Sequence, residues 1–412
     1  MTSEPNEVFV WTWLPEATDP VVAGVLVPAG NAVDFRYGLS YLSREDAVPL
    51  YLPELPLKED TLSPLQGRLA GCIDDAGPDS WGMRVILNRL LGKSADTSDL
   101  GPLTYLIESA SNRIGALDFQ RSPDVYVSRG DEPASLDQLV TAAALVEAGE
   151  ELPPELDQAL LHGTSAGGAR PKAVLRDGDR QLIAKFSSTT DTYPVVKAEF
   201  VAMTLAERSG LNVAKVDLTQ AMHKDVLLVE RFDRLPDGRR RAMVSAMTIL
   251  GLDENSAIFA ASYFDLGTAI LQRFTDPENS LRELFSRITF NILVGNNDDH
   301  ARNHAAFWDA RDETLTLTPA YDIAPTPRAG GEARQLMAID DEGWRMSQVA
   351  GCVERAALYR LSETEARSIV DNQVDVIRAS WDEVCDLAAL TSLQRRQMWR
   401  SQFLNEYALY DY

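Results

Sequence analysis

Cysteine is scarce. Three residues, Cys72, Cys352 and Cys385, lie far apart in 412 positions with no CxxC pair. That pattern excludes a disulfide framework or a thiolate zinc cluster as the organising principle of the fold. Histidine is also rare, with four in the whole chain. Positive charge is in deficit: 39 Lys and Arg face 62 Asp and Glu, a net −23. A surface of that balance repels phosphate backbones and argues against nonspecific nucleic-acid binding by the chain alone. It leaves room for a local basic patch or a DNA-binding partner. No apolar run reaches the roughly 18–20 residues of a membrane span. The opening "MTSEPNEVFVWTW" lacks a basic stretch followed by a long apolar core, so no signal peptide is expected. The expectation is a soluble, cytoplasmic protein without internal repeats or low-complexity tracts.

What is present suffices for two or three packed cores: 45% of residues are hydrophobic and 25% charged. Residues 1–60 carry short β-branched and aromatic runs, "VFVWTW", "VAGVLV" and "VDFRYG", separated by "PEATDP" and "PAGNA". "GPDSWGMRVILNRLLGK" reads as a loop entering a helix that ends at Gly92, "TYLIESA" as a short helix and "IGALDF" as a strand. "QRSPDVYVSRGDEPAS" reads as a linker, which places a boundary near residue 125. Residues 134–161 read as helical with a break at "ELPPEL". Next come two apolar runs joined by "RDGD", a hairpin signal. "KAEFVAMTLAERSG" is an amphipathic helix closed by Gly210, and "VAKVDLTQAMHKDVLLVERFDR" supplies two more strands. Beyond about 240 the chain reads as helical, except for a hairpin over 304–323. One helix opens with Ser362 and Glu365 at capping-box spacing. The expected division is 1–125, 126–235 and 236–412.

The chemistry concentrates in "FNILVGNNDDHARNHAAF", residues 290–307. An apolar helix stops at Gly295, and polar groups then crowd together. Phosphoryl transfer needs a carboxylate near the attacking hydroxyl, a divalent metal held by an amide oxygen and a second carboxylate, and a lysine on the nucleotide phosphates. Asp298 and Asn303 stand at the D-x-x-x-x-N interval of a kinase catalytic loop, and Asp322 follows in "PAYDIAP" after the predicted hairpin. The assignment is Asp298 as base or hydroxyl-orienting group, with Asn303 and Asp322 as ligands for Mg²⁺, which prefers hard oxygens. A polar turn after a buried helix, with Asp322 as a strand-end cap, is the bland alternative. Upstream, Lys185 sits in the strand "QLIAKF" on the face of Ile183, opposite Leu182, Ala184 and Phe186. A charge so placed needs a partner such as a phosphate, or a carboxylate such as Glu199. The loop "GTSAGGARPK" can turn backbone N–H groups toward an anion, though it matches neither common phosphate-loop pattern. "LLVERFDR" is an apolar strand turning polar at Glu230, where a kinase offers backbone groups to adenine. Two other readings stand beside the kinase. One is a metal-dependent hydrolase using Asp298, His300 and His304. The other is a nucleotide-binding co-repressor without needed catalysis.

With these pieces in order, the chain resembles the HipA family of serine/threonine kinases, the toxins of HipBA-type toxin–antitoxin pairs. The resemblance rests on "SAGGARPK", "IAKF", "VERFDR", "NNDDHARN" and "TPAYDIAP", and extends to "FRYGLSYL" and "DDAGPDSWG". It implies an α+β, two-lobed protein-kinase-like fold with an N-terminal β-rich subdomain and a mainly helical C-terminal lobe. The cofactors implied are ATP and Mg²⁺. Asp298 would be the catalytic base, and Asn303 and Asp322 the metal ligands. Lys185 and His300 would lie near the phosphates, and Glu230 and Phe232 along adenine. The loop residues Ala166, Gly167, Gly168 and Ala169 would contact ATP. Autophosphorylation would fall on Ser165, with Thr164 as the fallback. A phosphate there adds nearly two negative charges to a loop built to receive phosphates. The implied partners are a protein substrate and a small helix-turn-helix, HipB-like antitoxin, with DNA reached only through the latter and no membrane.

Overall fold

The computed structural model describes residues 4–92, 95–130, 134–150, 152–164, 170–188, 191–253, 256, 260–328 and 332–412. The chain forms two compact units that interleave in sequence. The first comprises Met1–Asp191, Thr219–Val244 and Phe307–Glu313; the second comprises Thr192–Leu218, Ser245–Ala306 and Thr314–Tyr412.

In the first unit, the β-branched runs near the start form β1 (Val8–Thr12), β2 (Val21–Ala29) and β3 (Ala32–Tyr37), joined by β4 (Leu117–Gln120) in the order β3-β2-β1-β4. Alternate residues such as Val8, Val10, Leu26, Phe35 and Phe119 are buried, as a half-covered sheet requires. The stretch read as a linker is tied to this sheet. Trp11 Nε1 donates to Ser122 O (3.1 Å), Gln120 Nε2 to Val127 O (2.9 Å), and the Tyr126 ring packs against Trp11 and Trp13.

Helix α1 (Ser80–Leu91) starts where the Asp79 side chain accepts from Gly82 N and stops at Gly92, whose φ of 80° few other residues adopt. Helices α2 (Leu136–Ala148) and α3 (Pro154–Leu160) follow, the first opened by a Ser135–Gln138 capping box. The second sheet contains β5 (Lys172–Asp177), β6 (Arg180–Phe186), β7 (Val216–Ala221) and β8 (Lys224–Glu230), in the order β5-β6-β8-β7. Its β5–β6 turn is the expected hairpin, with Gly178 at φ 60°. Trp81, Val85, Leu139, Ala184, Phe186 and Val226 share the core between this sheet and helices α1 and α2.

The second unit is mainly helical: α4 (Val195–Arg208), α5 (Tyr263–Arg273), α6 (Pro277–Val294) and α7 (Glu363–Leu387). Helices α4 and α6 both pack on α7. Helix α6 is its centre, with every residue from Arg287 to Val294 buried. The Ser362–Glu365 capping box opens α7 as expected. Outside these helices, and not confined to the second unit, the hairpin expected over 304–323 is β10 (Ala305–Asp309) and β11 (Thr314–Leu317), but a further strand, β9 (Met243–Ser245), joins them in the order β11-β10-β9. Three residues are too short a run to display strand periodicity, so β9 left no trace in the pattern. No described helix is long and apolar enough to cross a membrane. The architecture is α+β, as expected.

Candidate active site

Helix α6 ends because Gly295 adopts the left-handed conformation (φ 73°, ψ 25°), and a Cβ there would stand 2.8 Å from the Gln402 carbonyl oxygen. The chain leaves the helix sharply, and Asn296 N closes the end on Asn291 O (2.8 Å). Residues 296–300 then run without regular structure into a 3₁₀ turn, Ala301–Asn303. This packs the polar residues onto the end of the buried half of the helix, Arg287–Val294.

Consecutive residues there point to opposite environments: Asp298 is exposed and Asp299 is buried. Partial desolvation raises the Asp298 pKa, the charges of Asp322 and Asp299 raise it further, and His300 opposes them. Asp322 is therefore close enough to act on Asp298 electrostatically. The local chain fixes that approach. Tyr321 Oη donates to Arg302 O (2.7 Å), Thr318 N donates to Ala305 O (3.0 Å), and Asn296 Nδ2 reaches Asp322 O at 3.5 Å. Ala320 N and Ala214 N bond reciprocally to Asn212 O (2.8 Å) and Ala320 O (2.9 Å), anchoring the strand that leads to Asp322. Asp322 itself has φ 59°, a left-handed conformation that Asp tolerates better than most residues. Asn303 is buried in the 3₁₀ turn. Asp298 and Asp322 thus interact electrostatically, and Asn303 follows Asp298 by five positions in the adjoining 3₁₀ turn. Their oxygens are the hard donors Mg²⁺ takes, and the mutual repulsion of the two carboxylates is what a bound cation would relieve.

His304 does not belong to a metal set. Its Nε2 lies 2.8 Å from Asp299 Oδ2, and among the described residues no cluster of three His, Cys, Asp or Glu side chains has metal-holding geometry. The hydrolase reading therefore has no built site here.

In the first unit, Lys185 is half-buried on β6, on the side of Ile183. The fully buried face carries Leu182, Ala184 and Phe186, so the alternation holds, and the lysine looks toward the less covered side. Glu199 is buried on α4, in the second unit. Glu230 ends β8 opposite Leu182, and Phe232 packs edge-on against Phe307 (5.8 Å). Ser165, Ala166, Gly167, Gly168 and Ala169 lie outside the described residues. Thr164 is fully buried; its hydroxyl accepts from Ala110 N (2.9 Å) and donates to Leu161 O (2.7 Å). That is a structural hydroxyl, not an accessible acceptor of phosphate.

Several residues without a role in the sequence reading carry the geometry. Lys172 of "GGARPK" is buried and pairs with Asp79 (3.0 Å), while Trp81 Nε1 donates to Lys172 O (3.2 Å). The two motifs "DDAGPDSWG" and "GGARPK" therefore meet, and the other oxygen of Asp79 caps α1. At the end of β8, Arg231 donates to Asn112 O (2.9 Å) and Arg113 O (2.6 Å), and Asp233 accepts from Gly115 N (2.8 Å). These contacts span more than a hundred residues, which no local pattern reveals.

Residues 164–381 match the family described as the HipA-like C-terminal domain. A protein named putative kinase Y4mE from Sinorhizobium fredii is 23% identical over 393 residues, covering 86% of this chain and 88% of that one. The serine/threonine-protein kinase toxin HipA of Shewanella oneidensis is 27% identical over 205 residues, covering 43% of this chain and 47% of the relative. Among solved structures, the Shewanella oneidensis HipA complex with HipB and operator DNA superposes with a TM-score of 0.67 at 20% identity, over 94% of this chain and 97% of that one. The family match covers more than half of the sequence and takes in every site residue assigned above, and the likeness of fold extends through the N-terminal unit. The chain belongs to the HipA family.

Proposed function

We propose that this protein is a Mg·ATP-dependent serine/threonine-protein kinase that transfers the γ-phosphoryl group to a protein hydroxyl and phosphorylates its own Ser165. The observation that carries the reading is the exposed Asp298 beside Asp322, on the loop that also supplies Asn303. Asp298 accepts or orients the proton of the attacking hydroxyl. Its raised pKa makes it a better base than an ordinary exposed carboxylate. Asn303 and Asp322 hold Mg²⁺, which when bound neutralises charge on the phosphate oxygens. Lys185 supplies an ammonium to the phosphates, helped by His300 and the backbone of Ala166 to Ala169, while Glu230 and Phe232 flank adenine. HipA of Shewanella oneidensis is solved with HipB and operator DNA. By analogy this chain pairs with a small helix-turn-helix antitoxin, meets DNA through it and works in the cytoplasm.

Incubating dephosphorylated protein with γ-labelled ATP and Mg²⁺ tests the reading. Label should appear on Ser165 and be absent without the metal. Labelling elsewhere only, or none with nucleotide bound, contradicts it.

A further inference from the structure

We infer that Asp299 is the positioning residue of the catalytic loop, holding Asp298 and Asn303 in place from beneath. The inference deepens the kinase reading and rests on it for its kinetic arm. Residues 296–300 have no regular secondary structure, so the loop draws its order from side chains. Asp299 supplies that order. Its carboxylate is buried, and one oxygen, Oδ2, accepts from donors on three different elements. Tyr263 Oη, at the start of α5, lies at 2.5 Å. Asn291 Nδ2, in the last turn of α6, lies at 2.7 Å. His304 Nε2, just before β10, lies at 2.8 Å. The Tyr263 ring stands edge-on to the His304 ring with centroids 5.6 Å apart, so the two donors also orient each other.

The protonation pattern follows from the geometry. Burial alone would favour the neutral acid, but His304 and then Tyr263 hold the Asp299 pKa below its usual value. An ionised carboxylate only accepts, so Nε2 of His304 is the nitrogen that carries hydrogen. The anchor continues inward. Asn291 Oδ1 accepts from Asn296 Nδ2 (3.1 Å), Asn296 O accepts from Gln335 Nε2 (3.0 Å), and Gln335 Oε1 accepts from Ser347 Oγ (3.0 Å). The loop is thus stitched at Asn296 and Asp299, at His304 just beyond the 3₁₀ turn, and by Ala246 N on His304 O (2.7 Å). Asp298 lies between the stitches at Asn296 and Asp299, and Asn303 between those at Asp299 and His304. Because Asp299 is drawn inward, its neighbour Asp298 faces outward. Misplacing a reacting group by about 1 Å can slow turnover about a hundredfold, so a side chain that never meets substrate can still govern the rate.

Asp299→Asn and Tyr263→Phe test this. Steady-state turnover of Mg·ATP, with casein as a generic acceptor protein, should show kcat lower by about 10–100-fold in Asp299→Asn and about fivefold in Tyr263→Phe, which loses one donor and keeps its shape. Calorimetric affinity for adenosine should stay within about twofold, since the adenine-flanking Glu230 and Phe232 are untouched. Unchanged kcat in both variants, or a loss of adenosine affinity in step with kcat, would overturn the inference. Amide hydrogen exchange gives a reading independent of activity. In Tyr263→Phe, residues 296–304 should exchange faster while α7 keeps its protection. Unaltered exchange there overturns the positioning role even in an inactive protein, whereas an inactive wild type with the expected exchange change overturns only the kinase reading.

Discussion

Asp233 in the first unit and Asp299 in the second are each 2% exposed, and each is ionised in spite of burial. They are compensated by opposite means. Asp233 takes a two-pronged contact from Arg231 (2.9 and 2.7 Å), one from Arg234 (2.9 Å) and the N–H of Gly115. Burial would raise its pKa, but Arg231 and then Arg234 hold it well below the carboxylate range. Asp299 instead gathers two neutral donors and an imidazole. Full charges buried together make each member costly to remove, because the survivors are left unpaired. Hydrogen bonds from a phenol and a carboxamide leave milder debris when broken, but they aim a carboxylate from three directions. The first arrangement locks the loop 112–115 to the end of β8; the second aims a loop.

The contrast can be broken by substitution, and the largest effect is on stability. Asp233→Asn strands Arg231 and Arg234 and should lower unfolding free energy by about 3–5 kcal/mol, read as a shift in the urea midpoint. Asp299→Asn should lose less stability than this while losing more turnover. Equal stability losses would erase the distinction. Next is the pH dependence. A carboxylate whose folded pKa is depressed stabilises fully above its unfolded value of about 3.9 and loses that contribution as pH falls toward the folded value. The stability gap between wild type and Asp233→Asn should therefore stay constant from neutral pH to about pH 5 and close only in stronger acid. A gap that closes near neutrality would show that the arginines do not set the Asp233 titration. The smallest effect serves as control. Ser362→Ala removes one half of the capping box of α7, far from both carboxylates in sequence, and should lower stability by about 1 kcal/mol with turnover unchanged.

Much of the fold was legible because it is written locally. The runs at 8–12, 21–29 and 32–37, the glycines at 92 and 295, and the Ser362–Glu365 pair each impose structure within a few residues. The D-x-x-x-x-N interval of Asp298 and Asn303 is also local, so these candidates could be named. Their supports could not. Asp299 stood in plain view as the second Asp of "NDDH", yet its partner Tyr263 lies 36 residues upstream, and Gly115 lies 118 residues from Asp233. Such pairings are products of packing, with no period or motif to announce them. The adjacent pair of carboxylates after a buried helix was the available signal: in extended chain one of them has to face inward.

The most direct test of the account is phosphoryl transfer by Asp298→Asn, measured with γ-labelled ATP and Mg²⁺ against wild type under conditions where both bind nucleotide. The account requires wild type to incorporate label and Asp298→Asn to lose it by about a thousandfold or more, as expected for a catalytic carboxylate. Equal incorporation by the two proteins would contradict it.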